Sequence, residues 1–504
     1  NENTSNDPGK DSQLIVENGN GLVFTISTAL KTGLYEEVNI PIYQTGVGTN
    51  GLIVIDGTSN GAPGWSTSGR GKGVVHLGTG AKIEIRTPGN MTSRTTGIYT
   101  NAAQAIDNEG TVSNMTSDAY SVTLNDGTVL NYDAQPDGSK NTVGVYITRN
   151  NGMALNTEVL PGETSSNIHY RQNGGSIRIG GENSVAVYNN SDVVKITNNA
   201  EIEAANGAVG LYTKGYGASG SAVTIIDNAN LIVGDKSLLF YNEAGGQVDF
   251  QGTTTALVKS GGTAFYSKGT TALTDYLNIG NLTVKMEDNS TLLMLEEPLI
   301  PIYLSSLPGV TGITIDPTSS TNYKKVSQYR GNFYIDKNVS LDNPTDDYVQ
   351  TSLISTKTEL MSGYAMTGSG VGQVGIKSGA NTAITVNTDV SAINNGTINL
   401  SGDNSVGLYT NYGTNINNTT LNVTGIKGVG IFAENGSAVS NTGNITIGNK
   451  GVGIYAVSFQ DENNEPLFGD KKINVTNTGQ ISANTGTQAV RIYLNNTKGL
   501  ATTD

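Results

Sequence analysis

Small, apolar and aromatic residues return along this chain at a fixed interval. Val406-Gly407-Leu408-Tyr409 is followed by Val429-Gly430-Ile431-Phe432 and then by Val452-Gly453-Ile454-Tyr455, each 23 residues on. A second alternation keeps nearly the same interval: Ile398-Asn399-Leu400, Leu421-Asn422-Val423 and Ile445-Thr446-Ile447. A third is fainter, with Ile416 and Val439 again 23 apart. Three short alternations per repeat, each broken by Gly, Asn, Ser or Thr, describe a chain that turns three corners per lap. That pattern predicts an all-β chain wound as a parallel β-helix, a solenoid of about 23 residues per coil with long loop insertions.

Side chains alternate faces along a strand. Val406 and Leu408 are therefore expected inside, with Gly407 and Tyr409 facing out. Laps stack about 4.8 Å apart, which would put Leu408, Ile431 and Ile454 in one interior column and Tyr409, Phe432 and Tyr455 in an outer one. One lap cannot bury its apolar face alone; its neighbours must. Asn395, Asn418 and Asn441 fall at one corner, where stacked amides can bond along a ladder and Asn tolerates a left-handed backbone.

Upstream the pattern loosens. Val185-Ala186-Val187-Tyr188, Val209-Gly210-Leu211-Tyr212, Leu238-Leu239-Phe240 and Ala264-Phe265-Tyr266 keep it, and Val490-Arg491-Ile492-Tyr493 adds a late lap. Val143-Gly144-Val145-Tyr146 and Gly97-Ile98-Tyr99 imply laps carrying long loops. Residues 291–365 lose the beat. Pro298, Pro301 and Pro308 mark an irregular crossing, and Thr345-Asp346-Asp347-Tyr348 reads as a helix start. Leu353, Ile354, Lys357, Leu360, Met361 and Tyr364 then predict a helix over 346–363, packed on the solenoid's side. The expected organisation is a capping or disordered segment over 1–11, β-helix over 12–290, an irregular or helical insertion over 291–365, and regular repeats over 366–504.

The 504 residues include 65 Gly, 12 Pro and no Cys, so no disulfide carries the stability. Only 14 % of residues are charged, yet low Pro and alternating apolars argue against disorder. Acids outnumber bases, 43 to 29, for a net charge of −14 with no basic stripe, which disfavours nucleic acid as a partner. No apolar run reaches transmembrane length: Leu292–Leu304 is cut by Glu296, Glu297, Pro298 and Pro301. The chain opens on a polar run and stops in mid-pattern, as expected of a mature or excised piece of something larger.

Candidate chemistry is sparse. His76 and His169 carry no metal motif around them, so surface or turn positions are expected. No Ser/His/Asp signature or nucleophile elbow appears. Asp56-Gly57-Thr58-Ser59-Asn60-Gly61 lacks the alternating ligands of a calcium loop. A glycan-cleaving β-helix needs carboxylates side by side on neighbouring laps. Asp227 with Asp235, and Asp389 with Asp403, do not recur at the lap interval, so they read as solvated turn acids. No cofactor, metal or catalytic residue is expected. The insertions expected to carry specificity are Asp56–Lys72, Ile147–Gln172, which holds Pro161, His169 and Arg171, and the region 291–365. In the first, Trp65 stands in a polar, Gly-rich stretch: exposed, its indole would stack on sugars or anchor a protein contact, and folded back it would plug an end of the stack. Asp56, Asn60 and Arg70 lie near enough in sequence to supply hydrogen bonds. The outer Tyr row reads as a structural ladder.

The lines NSVGLYTNYGT, KGVGIFAENGSAVSNTGNITIGNKGVGIYA and NGAVGLYTKG resemble the passenger repeats of type V autotransporters, above all the large outer-membrane adhesins of fusobacteria. The resemblance covers most of 175–290 and 366–504. It implies a right-handed β-helix, displayed outside the cell on the bacterial outer membrane through a C-terminal β-barrel that this chain lacks. It implies attachment without catalysis, to host-cell glycans, to protein receptors (immune receptors among them) or to other bacteria. Two alternatives remain at this level: a β-helix polysaccharide hydrolase or lyase, and a self-associating stalk.

Overall fold

The computed structural model describes residues 105–123, 129–149, 159–215, 222–243, 245–269, 276–307, 312–379, 390–458, 473–484 and 488–496. It also describes 74–79 and the short strands Val23–Ile26, Tyr35–Glu36, Leu52–Asp56, Trp65–Thr67, Lys82–Arg86, Thr95–Thr100 and Ala501–Thr502. The expected segment 1–11 lies outside the described residues. Nearly every strand pairs in parallel with the strand one lap on, as a parallel β-helix requires. The chain divides into two compact units. One holds Asn1–Tyr266, Leu273–Leu292 and Gly309–Ser320; the other holds Ser267–Ala272, Leu293–Pro308 and Thr321–Asp504.

The second unit shows the lap most plainly. Val406–Asn411, Thr414–Asn417 and Thr420–Val423 form the three sides of one turn. They pair in parallel with Val429–Glu434, Ala438–Asn441 and Asn444–Ile447. Leu408, Ile431 and Ile454 form the expected interior column, each fully buried. Val406 departs from expectation. It stays partly exposed, while Gly407 and Leu408 are both buried. Two adjacent inward residues break the alternation, and only glycine fits there: a methyl on Gly407 would come within 2.5 Å of Leu421 Cδ1.

The asparagine ladder exists, one residue from where the interval places it. Asn394 Nδ2 donates to Asn417 Oδ1 at 2.8 Å, and Asn417 Nδ2 donates to Asn441 Oδ1 at 2.7 Å, all inside the stack. Asn441 Nδ2 continues the ladder to Asn477. Asn395 and Asn418 form a second, outer rank, which Thr442 rather than Asn441 extends. The cause is a corner at Glu434–Ser437 one residue longer than its neighbour. It moves Val439 opposite Asn415, not Ile416. The left-handed corner is elsewhere too. Asn404, Lys427 and Lys450 hold φ of 57°, 59° and 56°, at the same corner of successive laps.

Residues 291–365 carry strands that join the stack, with a short 3-10 turn at Leu304–Ser306. Ile302–Tyr303, Asn332–Ile335 and Lys357–Leu360 pair in parallel as successive rungs, and Lys324–Tyr329 pairs with Thr351–Ile354. The expected helix over 346–363 is replaced by a tight turn and two strands. Asp346 does accept the Tyr348 amide, at 3.0 Å, and the Gln350 amide closes one turn on the Asp346 carbonyl at 3.3 Å, but no helix follows. Lys325 and Lys337 both bind Asp347, and Tyr348 donates its hydroxyl to the Gly375 carbonyl, which ties the turn down. Beyond it, an open strand edge on the previous lap offers Thr351–Ile354 a full ladder, and tertiary pairing overrides local propensity.

The first unit is built on the same plan with longer laps. Val193–Ala205 and Ala222–Val233 each run along two sides of a lap and bend between them. Asn198, Asn199 and Asn228 make those bends with φ near 57°. Phe240, Phe250 and Phe265 fill its interior. Phe240 stacks on Phe265 at 5.1 Å and meets Phe250 edge-on at 5.5 Å.

Candidate functional site

Of the residues expected to form a ligand site, Asp56 and Trp65 lie on described strands. Asp56 closes the strand Leu52–Asp56, in register with Arg86. Trp65 opens the strand Trp65–Thr67, in register with Ile98, on a different sheet. Trp65 is therefore a strand residue and not part of an irregular loop. Asn60 and Arg70 lie outside the described residues.

The second expected loop is also partly strand. Ile147 belongs to Thr142–Thr148, and His169 and Arg171 belong to Ile168–Asn173. His169 is not at the surface: it is 2 % exposed, with Nδ1 2.7 Å from an oxygen of Asp192, itself buried. His76 lies in the strand Val74–Leu77, in register with Asp107. Arg171 is clamped from both sides. Its Nε and Nη2 each donate to Asp107 at 2.8 Å, and its Nη1 donates to Glu163 at 3.1 Å and to the Pro161 carbonyl at 2.8 Å. Lys195 holds Glu163 from the other side at 3.0 Å. Leu160 packs beneath with Ala105 and Ile168. This network straps residues 159–167 onto the sheet, so its polar groups are spent on structure.

The outer tyrosine row is present as a continuous stack in the first unit. Tyr99, Tyr146, Tyr188, Tyr212, Tyr241 and Tyr266 follow one another with ring centroids 4.5–5.6 Å apart. Such spacing covers most ring faces with a neighbour, although Tyr146 and Tyr188 are tilted by 51°, and leaves little open face on which a sugar could stack. Tyr212 donates its hydroxyl to Glu243, which also binds Lys214 at 2.9 Å. Burial, then the Glu243 carboxylate, pushes the Tyr212 hydroxyl above its ordinary pKa. Burial opposes ionisation of Glu243, yet hydrogen bonds from Tyr212 and Lys214 hold it below its usual value.

One concavity lies in the second unit. It is an open groove of about 550 Å³ over the sheet of Ala365–Gly368, Thr397–Leu400, Thr420–Val423 and Asn444–Ile447. Outward positions on these strands carry hydroxyls and amides: Thr367, Asn399, Asn422 and Thr446 succeed one another rung by rung. Asn422 Nδ2 donates to Asn399 Oδ1 at 2.8 Å. Asp342 stands at one end and accepts from the Ser369 amide at 2.8 Å, the Ser369 hydroxyl at 2.8 Å, the Gly370 amide at 3.1 Å and Gln373 Nε2 at 2.8 Å. These bonds, the Ser369 amide first, hold its pKa down to about 2. Asp342 is the groove's one carboxylate, and its oxygens are engaged in fixing the rim. The arrangement presents spaced, uncharged donors and acceptors, suited to holding a polar ligand. It offers no acid/base pair of the kind glycan hydrolysis needs.

Asn399 and Asn422 are visible in the sequence as the polar centres of a recurring apolar-polar-apolar block. Their meeting with Asp342 is not, because Asp342 reaches the groove through Ser369 and Gly370, which carry no repeat signal. Among the described residues no helix is long and apolar enough to cross a membrane, and no group of three His, Cys, Asp or Glu could hold a metal ion. No protein-family model, curated protein or solved structure matches this chain.

Proposed function

We propose that this chain is a non-catalytic adhesin segment, part of an autotransporter passenger carried on the bacterial cell surface. Its partners are host-cell glycans or protein receptors, or the surfaces of other bacteria. The observation that carries the reading is the groove over Thr397–Leu400 and Thr420–Val423, a broad, open, hydrogen-bonding surface whose one carboxylate is committed to the rim. The repeat lines that resemble fusobacterial adhesins supply the surface setting. A stacked solenoid gives such a surface reach, because each lap adds length without a new core.

Binding of the purified chain to epithelial cells, lymphocytes and co-aggregating bacteria tests this. Asn399→Ala with Asn422→Ala should weaken binding while circular dichroism stays unchanged. Loss of binding on glycan trimming assigns a glycan ligand, and loss only on protease treatment assigns a protein receptor. A folded chain that binds none of the three surfaces, or release of reducing ends from a polysaccharide, overturns the proposal.

A further inference from the structure

One element of the first unit departs from the parallel plan. Tyr120–Thr123 and Val129–Tyr132 form an antiparallel two-stranded ribbon, which pairs with no other strand among the described residues. Its base is fixed. Asn114 is fully buried; its Nδ2 donates to the carbonyls of Ser139 at 3.0 Å and Gly180 at 2.8 Å, and its Oδ1 accepts the Gly180 amide at 2.8 Å. Thr116 and Gln135 exchange backbone hydrogen bonds at 2.9 and 2.8 Å and close the neck. The chain thus leaves the lap and returns to it at one locked point. Ser117, Asp118, Ala119, Asn131, Asp133 and Ala134 around the ribbon are exposed.

A ribbon of two strands is marginal by itself in water, and its outer edges are templates for a further strand. The charge of the segment says which strand. Among the described residues beside the two strands the chain carries Asp118, Asp133 and Asp137, and no Lys or Arg. A second copy would bring the same acids, on a chain of net charge −14. We infer that the ribbon is a strand-addition site for an extended, basic segment of a partner protein, paired edge to edge through its backbone. Backbone pairing supplies the affinity, and the aspartates select lysine- or arginine-bearing strands. The inference is independent of the groove and of the adhesin reading.

The test uses the full chain and a capped peptide of alternating lysine and valine. Its control is the same peptide with every backbone amide N-methylated, which keeps the charge and blocks both pairing edges. Calorimetry should show binding of the first peptide and at least about tenfold weaker binding of the second, as expected for losing several backbone hydrogen bonds. Hydrogen exchange should slow at 120–123 or 129–132. A variant with 117–134 replaced by a short Gly-Ser turn, which leaves Asn114 in place, should not bind. Equal binding of both peptides would reduce the site to charge attraction and overturn the inference. So would undiminished binding by the shortened variant, or no binding by the intact chain.

Discussion

Asn394 and Asn417 hold each other inside the stack, amide to amide at 2.8 Å, with both side chains fully buried. Asn417 receives from Asn394 and gives to Asn441, so its amide is satisfied because the laps on both sides carry an asparagine too. A buried amide without a partner costs about 1–3 kcal/mol, which makes the ladder a test of lap-to-lap registry.

Asn417→Ala should therefore lower stability by about 2–3 kcal/mol. It leaves Asn441 Oδ1 without its Asn417 donor and removes the acceptor of Asn394. Asn418→Ala, one residue on and on the outer rank, should cost no more than about 0.5 kcal/mol. Urea unfolding followed by hydrogen exchange over 391–441 would separate them. Equal losses would mean that the inner ladder is not the one under strain of burial.

Gly430→Ala should be worse than its size implies. A methyl there meets the Gly453 carbonyl oxygen at 2.5 Å and Ile445 Cγ2 at 2.7 Å, so backbone of the next lap must move. The expected cost is about 1–3 kcal/mol or more. At Gly363 a methyl meets nothing within 4 Å, and only the positive φ of 88° opposes it. Thermal melts of the two variants should rank Gly430→Ala as the less stable.

Arg171→Met should be among the most damaging single changes. It keeps much of the volume but leaves Asp107 and Glu163 without the guanidinium between them. Removing one partner of a buried ion pair costs about 3–5 kcal/mol. Limited proteolysis should then cut within 159–167, the segment the network straps down, before it cuts the repeats.

Acid should loosen one rim of the groove in a defined window. Asp342 has its carboxyl lowered from 3.8 to about 2 in the folded chain. A lowered folded value means that its contribution is complete above the ordinary carboxylate pKa of 3.8 and is lost as the pH falls through about 2. The Ser369 and Gly370 amides should stay protected at about pH 4 and lose protection toward about pH 2. Asp342→Asn should remove that pH dependence. Unchanged protection of Ser369 in Asp342→Asn would show that the backbone alone holds the rim.

The lap itself is legible in the sequence because Leu408, Ile431 and Ile454 must face inward at every turn, and burial permits no drift there. The residues at the corners are less constrained in type, and there the reading slips. Lys427 and Lys450 occupy left-handed positions that residue preference alone would give to Asn or Gly. The extra residue at Glu434–Ser437 shifts one side of the lap, invisibly to any fixed interval, so Asn441 belongs with Asn417 and not Asn418. The helix expected over 346–363 fails for another reason. Its spacing is real, but Thr351–Ile354 finds a strand edge that local sequence does not reveal. Of the candidate site, Asn399 and Asn422 repeat and can be seen. Asp342 and Gln373 act once each, through contacts that only the fold creates.

The corner residues Asn404, Lys427 and Lys450 sit 23 positions apart although the sides between them do not keep that count. The lap that gains a residue at Glu434–Ser437 gives one back before Val452, and the next turn begins in phase. A gene segment encoding one turn could therefore be copied or deleted between those corners and leave both flanking turns in step. The architecture tolerates changes of length in whole turns, and copying errors in repetitive DNA produce changes of that kind. Lineages sharing this plan should differ by integral numbers of turns far more often than by fractions of one.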